Sequence, residues 1–461
     1  MEGNKLTLKK ILNIVDYSNK SGLGHLSRTL ELNKIFDKRS KFFILTKKKI
    51  LHKKKNIINY VNELNNFLKK NNTKFHYCII DSYNISFTQE KKIKNMCDNL
   101  VTIDDFQKRN FASDFLLNFS PLVKRNHYKK RCKNKTKFLI GNNYNYMQLP
   151  SNDTKMSNIK KKNLRLFIYL GNKDRSFEIR NILKKIYFLG NIKDVLIINQ
   201  KFNIKEFNFK IKFKKNLKNS TFLNEMSKSD ILILTSGVVA SESINMKKKV
   251  FLTFVSNNQK QNFTYYTKNK NASNLTSFPK FINRPMHLIN FDLIKIKEKK
   301  IDNYNKIINI KNYINPLKDK KNNKIILKLY NSKFCKQIFS LQTSNNRKFL
   351  TNKSTFSYAE HKRYISNFLK ESNNFIFLII IKNNFAGYIK FSYIKNYHDI
   401  SIILKDKFRN RSIATSVLKY FRYNKILPFQ IKAKVNKQNI SSIKTFTKAG
   451  FKLNNDLRII N

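Results

Sequence analysis

The chain contains no tryptophan, only 9 glycines and 6 prolines, and 28 acidic residues against 94 lysines and arginines. Its four cysteines, Cys78, Cys97, Cys132 and Cys335, stand alone: there is no C-x-x-C pair and no His/Cys cluster at zinc spacing. That pattern excludes a disulfide scaffold and a structural zinc module, and it fits free thiols in a reducing cytoplasm. The N-terminus is charged and lacks the apolar core of a signal peptide. The longest apolar run, FIFLIII at 375–381, is far too short to span a bilayer. A cytoplasmic protein without a membrane span is expected.

What is present is a 461-residue chain that is 41% hydrophobic, long enough for two or three domains with substantial cores. The formal charge of +66 has two readings. A surface so basic attracts nucleic acid or anionic membrane. Alternatively, abundant Lys, Asn, Ile and Phe beside scarce Gly, Pro and Trp reflects A/T-biased coding. The basic residues are spread over the whole length rather than gathered in one tail or stripe, which favours the second reading.

Short apolar runs alternate with amphipathic stretches through about residue 300. ILNIVDY (11–17), KFFILT (41–46), YCIID (77–81), LVTIDD (100–105) and FLLNFS (115–120) read as strands. LSRTLELNKIF (26–36) and NIINYVNELNNFLKK (56–70) have helical spacing. A polar connection over 142–162 precedes a second series. It has strands at 164–171, 194–199, 230–237 and 250–255, with helices at 177–189 and 239–248. Such alternation predicts an α/β fold with parallel sheets flanked by helices, in two tandem Rossmann-like lobes at 1–150 and 151–300. Residues 301–334 read as a closing helix and linker without sheet patterning. A third, α+β unit follows at 335–461, with helices at 359–370, 412–424 and 439–448 and strands at 374–381, 386–393, 398–404 and 429–435.

Three motifs carry chemistry. In SGLGHLSR (21–28), Gly22 and Gly24 permit a tight turn between a strand and a helix, and His25 follows directly. A histidine there projects toward the C-terminal ends of the strands, where open α/β sheets bind ligands, and it can accept a proton near neutral pH. A capping or surface histidine is the alternative. In LTSGVVASESINMKK (234–248), Thr235, Ser236 and Gly237 open a helix that could hold a diphosphate, and Glu242 could accept hydrogen bonds from ribose hydroxyls. An ordinary Ser-rich cap with a solvated Glu is the alternative. No acidic cluster suggests a metal cage.

The first motif, with Asp16, Ser18, Gly22, Gly24, His25 and Arg28, resembles the N-terminal signature of the UDP-2,4-diacetamido-2,4,6-trideoxy-β-L-altropyranose hydrolases of pseudaminic acid biosynthesis. Ile14 departs from it, since an Arg is usual there. The likeness continues in IIDSYNIS (79–86) and IDDF (103–106), and covers roughly residues 8–290. It implies a GT-B-like fold, with His25 activating water for attack on the sugar, inversion at the anomeric carbon and UDP as leaving group. It also implies that Asp16, Gly22, Gly24, Arg28, Gly171, Ser236, Gly237, Glu242, Asn258 and Gln259 bind substrate, with Glu242 at the ribose and Asn258 near the sugar. IYLGNKD (168–174) keeps Gly171 and Asp174 of that family's G-G-T-D loop but carries Asn172 and Lys173 between them. No cofactor or metal is implied for the hydrolysis.

The third unit resembles the GNAT acetyltransferases that acetylate a 4-amino UDP-sugar in the same pathway. Arg409, Asn410, Arg411, Ser412, Ile413 and Ala414 occupy that family's pyrophosphate loop, with Ser412 replacing a glycine. Asn439 and KAGF (448–451) fit its N…K-x-G-F element, and SYAEHKRYI (357–365) its E-H-x-x-[WY] helix. The resemblance implies acetyl-CoA as co-substrate, bound by Arg409–Ala414 and Asn439. Phe446 stands where a proton-donating Tyr is usual, so an active acetyltransferase and a degenerate binding module both remain open. Two further readings stand beside a bifunctional hydrolase. One is a GT-B glycosyltransferase using a UDP-sugar. The other is a basic nucleic-acid-binding protein, against which the scattered lysines count.

Overall fold

The apolar runs assemble into three sheets. The computed structural model describes residues 9–16, 24–36, 40–45, 57–59, 64, 67, 73–132, 135–146, 164–171, 173–186, 192–203, 207, 209–215, 217, 219–246, 248–255, 257–269, 272–277, 300–347, 356–371, 373–394, 397–424, 430–453 and 458–460. The chain divides into two compact units: Met1–Glu31 with Ser40–Glu298, and Leu32–Arg39 with Lys299–Asn461.

The first unit contains two parallel sheets. One is built from β1 (Lys10–Val15), β2 (Lys41–Leu45), β3 (Ile57–Asn59), β4 (Phe75–Asp81), β5 (Cys97–Ile103), β6 (Phe115–Asn118) and β7 (Lys137–Ile140), in the order β3-β2-β1-β4-β5-β6-β7. The other is built from β8 (Leu164–Tyr169), β9 (Ile192–Ile198), β10 (Lys210–Lys214), β11 (Ile231–Thr235), β12 (Lys249–Thr253) and β13 (Ser273–Asn274), in the order β10-β9-β8-β11-β12-β13. Alternate residues of β8 enter separate cores: Leu164, Leu166 and Ile168 join one cluster and Phe167 the other. Both faces of the sheet are thus covered, as a parallel sheet requires. In each sheet the winding reverses once, between β1 and β4 and between β8 and β11. Open α/β sheets bind ligands beyond the strand ends at such a reversal.

The second unit is built on β14 (Leu317–Lys318), β15 (Lys324–Leu329), β16 (Phe375–Ile381), β17 (Asn384–Ile394), β18 (Tyr397–Leu404), β19 (Gln430–Lys434), β20 (Lys452–Leu453) and β21 (Arg458–Ile460). Its order is β14-β15-β16-β17-β18-β19-β21-β20. Strands β14 to β18 pair antiparallel in succession. β18 and β19 are parallel neighbours, but only Tyr397–Asp399 pairs with Gln430–Lys432. Beyond Asp399 the two strands part, which opens a fork inside the sheet. Ile35, in the short segment that belongs to this unit, accepts hydrogen bonds through its carbonyl from Lys311 Nζ (3.0 Å) and Asn315 Nδ2 (2.9 Å).

Two expectations are corrected. Residues 57–59, read as part of a helix, form an edge strand paired with Phe42–Ile44. Ile57 and Ile58 are β-branched and suit a pleated edge better than a helix turn. Residues 301–334, read as helix and linker, hold the Lys300–Ile314 helix but also β14 and β15. β15 alternates buried Ile325 and Leu327 with more exposed neighbours, a period-two pattern shorter than the lysine-rich run that hid it. Much of the polar connection at 142–162 and much of 56–70 lie outside the described residues. Among the described residues, no helix is long and apolar enough to cross a membrane.

The β16–β17 pairing slips between Ile379 and Ile380, a bulge that brings Gly387 against the backbone of β18. A Cβ at Gly387 would sit 2.1 Å from the Ile403 carbonyl oxygen. Gly387→Ala is expected to destabilise the protein by about 3 kcal/mol in urea unfolding, because backbone rather than a side-chain tip must move. A change within about 0.5 kcal/mol would contradict that close approach.

Candidate functional site

The end of β1 and the end of β4 are neighbours, with Val15 opposite Asp81. The Gly24–Leu32 helix begins just beyond β1, with Gly24 as its first residue. His25, Arg28 and Thr29 lie three and four residues apart and therefore share one face of that helix. All three meet the Asp81 carboxylate. His25 Nδ1 is 2.6 Å from Asp81 Oδ1. Arg28 donates Nε to Oδ2 and Nη2 to Oδ1, each at 2.6 Å. Thr29 Oγ1 donates to Oδ2 at 3.2 Å. The remaining Arg28 nitrogen, Nη1, reaches Asp105 at 2.8 Å and 3.1 Å. Tyr83 donates its hydroxyl to Asp105 and sets its ring edge-on to His25 at 4.5 Å.

Asp81 is fully buried and Arg28 and His25 nearly so. Burial alone pushes the Asp81 carboxyl up, but the charges of Arg28 and His25 and their hydrogen bonds outweigh it and hold it below the usual carboxylate range. Burial likewise pulls Arg28 down, and the charges of Asp105 and Asp81 more than restore it. Burial and the Asp105 charge push the Tyr83 hydroxyl well up, so it stays protonated. An ionised Asp81 can only accept, so Nδ1 of His25 carries the hydrogen and Nε2 keeps its lone pair. Nε2 makes no hydrogen bond among the described residues.

Asp16 works beside this centre. Its carboxylate accepts from Ser82 Oγ (2.7 Å), Tyr83 N (2.8 Å) and Asn84 Nδ2 (3.1 Å), which fixes the loop after β4. Gly22 lies outside the described residues. Asp81, Tyr83, Thr29 and Asp105 were not singled out from the sequence. Their signal was the aspartates closing YCIID and LVTIDD. Only the strand order shows which of those ends adjoins β1.

At the second reversal, Gly171 follows β8 in the left-handed region (φ 98°), a conformation that favours glycine. Ser236 follows β11. Its N–H donates to Thr253 O (2.9 Å) and its Oγ to Gln259 O (2.9 Å). Gly237 caps the Val238–Asn245 helix, and a Cβ there would lie 3.6 Å from Gln259 Nε2. Gln259 Oε1 accepts from Val255 N at 3.1 Å. Ser236, Gly237 and Gln259 are thus brought together, while Asn258 precedes Gln259 in the Asn257–Lys268 helix. Asp174 accepts from Ser176 N and Oγ at the start of the next helix, at 2.9 Å and 2.6 Å. Glu242 is buried at 4% exposure and makes no hydrogen bond among the described residues. Burial, with a smaller contribution from the Glu31 charge, pushes its carboxyl up to about 8. Tyr169, at the end of β8, is pushed up to about 12 by burial and by Glu242.

In the second unit, the loop after β18 holds Asn410 (φ 58°) and Ser412 (φ 57°) in the left-handed region. Ile413 and Ala414 are the first residues of the Ile413–Asn424 helix, so their N–H groups have no intrahelical acceptor. Arg409 bonds Asn346 and Asp406. Arg411 pairs with the buried carboxylate of Asp319, and its carbonyl accepts from Lys320 N at 3.0 Å. Asn439 caps the Ile440–Lys448 helix by accepting from Ser442 N at 3.1 Å. Phe446 is buried, edge-on to Phe451 at 5.3 Å. His361 is buried with neither ring nitrogen hydrogen-bonded, stacked on Phe356 at 5.7 Å. Burial and the nearby Arg347 charge pull its pKa down. Arg347 lies over the same Phe356 ring at 4.5 Å. Among the described residues no group of His, Cys, Asp or Glu could hold a metal ion.

Residues 330–452 match the family model described as the acetyltransferase (GNAT) domain. The C-terminal part of the chain therefore carries a GNAT acetyltransferase domain. No curated protein matches the chain. Among solved structures, spermidine N-acetyltransferase from Vibrio cholerae in complex with CoA and spermine is 14% identical, over 30% of this chain and 91% of that one, with a TM-score of 0.27. RimL, a ribosomal L7/L12 alpha-N-protein acetyltransferase in complex with coenzyme A, is 15% identical over 30% and 90%, with a TM-score of 0.27. The GNAT domain of S. lividans PAT is 11% identical over 32% and 93%, also at 0.27.

Removing Asp81 leaves Arg28 buried with one carboxylate fewer. Asp81→Ala is expected to cost about 3–5 kcal/mol in urea unfolding at pH 7, the range for breaking a buried pair from one side. Because the folded-state pKa of Asp81 is lowered, its contribution is present above the unfolded value near 3.9 and is lost as pH falls through the folded value. The difference between wild type and variant should persist at about pH 5 and shrink only below about pH 4.

Proposed function

We propose that the first unit hydrolyses a UDP-linked 2,4-diacetamido-2,4,6-trideoxy sugar to the free sugar and UDP, in a GT-B-like arrangement of its two sheets. The observation that carries this reading is the His25–Asp81 contact of 2.6 Å at the β1–β4 reversal. A carboxylate that fixes the Nδ1–H tautomer leaves Nε2 to take a proton from water. The oxygen of that water attacks the anomeric carbon as the bond to the UDP oxygen breaks, with inversion. Arg28 keeps Asp81 ionised, and Asp81 in turn stabilises the imidazolium that forms. On the second sheet, Glu242 accepts the ribose hydroxyls, Gly171 and Gly237 let backbone approach the diphosphate, and Asn258 and Gln259 lie toward the sugar. The likeness of residues 8–290 to the hydrolase signature supports this substrate. Cytoplasmic placement belongs to the same reading.

The GNAT domain, in this proposal, N-acetylates the 4-amino UDP-sugar that precedes the hydrolase substrate. The Arg409–Ala414 loop and the free N–H groups of Ile413 and Ala414 suit the pyrophosphate of acetyl-CoA. On its β19 side, β18 has an unpaired edge from Ser401 to Leu404, which suits an extended pantetheine arm. Phe446 has no proton to give, so the departing thiolate is protonated by water or by the attacking nitrogen.

The test is UDP release from the 2,4-diacetamido-2,4,6-trideoxy UDP-sugar without any acceptor. His25→Ala is expected to retain UDP binding and to lower turnover by roughly 10²–10⁴-fold. UDP release that requires an added acceptor sugar would instead mark a glycosyltransferase. A second expectation concerns pH. Glu242, pushed up to about 8, must ionise to accept both ribose hydroxyls. UDP affinity, followed by calorimetry, should rise up to about tenfold per pH unit from 6 toward 8. Glu242→Gln should flatten that rise.

A further inference from the structure

The fork between β18 and β19 has a carboxylate at its apex. Asp399 is opposite Lys432, the last pair before the strands part. Its carboxylate accepts the backbone N–H of Lys434, the residue two positions further along β19. The distance from this apex to the end of β18 at Leu404, where the phosphate-binding loop begins, is about 16 Å at 3.3 Å per residue. An extended arm anchored at the Arg409–Ala414 loop and laid along the free β18 edge therefore brings its far end to the apex.

Side-chain alternation places Asp399 on a definite face. Ile400 is opposite Phe391, which packs on Phe421 of the Ile413–Asn424 helix at 4.8 Å. Asp399, Ser401 and Ile403 therefore point to the other face. There Ile403 packs with Ile338, Leu341, Ile365 and Tyr388. Lys390, opposite Ser401, donates to the Tyr364 hydroxyl at 2.9 Å, and Tyr364 is half exposed. The loop leading into the Ile413–Asn424 helix serves one face and Asp399 the other, so the fork joins the two.

We infer that Asp399 is the proton acceptor for the amine that the GNAT domain acetylates, and that the acceptor approaches from the Tyr364–Lys390 face. The inference rests on the acetyl-transfer reading of this domain. The amine arrives as an ammonium ion and gives one proton to the Asp399 carboxylate. The neutral nitrogen attacks the acetyl carbonyl carbon, the carbon–sulfur bond breaks, and the second nitrogen proton passes to the leaving thiolate. Amide, free thiol and one proton released from Asp399 account for every atom. The charged groups bearing on Asp399 are Lys390 from β17 and Lys434 from β19; both favour the carboxylate, but burial outweighs them and raises its pKa. A carboxylate raised toward neutrality is the better proton acceptor.

The experiment follows thiol release from acetyl-CoA on the intact chain between pH 6 and 9, with a UDP-sugar bearing a free 4-amino group as probe. CoA affinity is measured in parallel. Asp399→Asn should lower kcat/KM at pH 7 by roughly 10²-fold or more, with CoA affinity unchanged. The deficit should shrink as pH rises and the free amine becomes abundant, and Asp399→Glu should restore part of the rate. Wild-type rates in Asp399→Asn at every pH would overturn the inference while leaving acetyl transfer standing. A pH-independent loss accompanied by weakened CoA affinity would make Asp399 a strut of the fork and overturn it equally. Absence of thiol release by the wild type itself would refute the acetyl-transfer reading and this inference together.

Discussion

Asp81 has no surface in water, and Arg28 has almost none. Separately each would be too costly to bury. Together they satisfy each other with two 2.6 Å hydrogen bonds, and Asp105 takes the rest of the guanidinium. This cluster lies at the ends of β1 and β4 and along the first helix. It therefore ties sheet order, helix orientation and imidazole tautomer into one electrostatic unit. Remove one member and the others become uncompensated charges. The geometry of His25 is a consequence of that constraint.

The same logic explains why Asp16 matters without touching His25. Its three hydrogen bonds hold Ser82, Tyr83 and Asn84, and Tyr83 then packs against the imidazole and bonds Asp105. The loop is positioned by a buried carboxylate rather than by a packed side chain, so its register depends on hydrogen-bond geometry. At the second reversal the situation is reversed. Glu242 is buried without a partner, and its carboxyl is pushed up to about 8. One sheet carries a finished ionic network, and the other carries a carboxylate whose hydrogen-bonding capacity is still to be used.

How much of this was legible in the sequence depends on the range of the interaction. His25 and Arg28 share a helix face, and local spacing found them. Gly171 and Gly237 follow strands, and local turn chemistry found those too. Asp81 and Asp105 lie 56 or more positions from His25 and Arg28 in the contacts they make, such as the His25–Asp81 pair and the Arg28–Asp105 pair at 77. Their aspartates were visible at strand ends, but no periodicity tells which strand lies beside which. The strand Ile57–Asn59 was missed because a three-residue edge cannot outvote a longer apolar pattern at helical spacing. β14 and β15 were missed because their lysines obscured the alternation.

Ser412 shows how a departure from a motif can be absorbed by structure. A glycine would occupy φ 57° freely, whereas serine is held there at a cost on the order of 1 kcal/mol. Such strain persists only where neighbours over-determine the backbone. Here the hairpin of β14 and β15 does so. Asp319 pairs with Arg411, Lys320 N donates to Arg411 O, and Ser416 Oγ donates to Lys318 O at 3.2 Å. The loop is clamped on both sides of Ser412 by a hairpin that the sequence presented as a linker. Arg411, which the motif offers to phosphate, is committed to that clamp. The anion-binding capacity of the loop therefore rests on its backbone N–H groups and on Arg409, and the hairpin is as much a part of the loop's chemistry as the residues inside it.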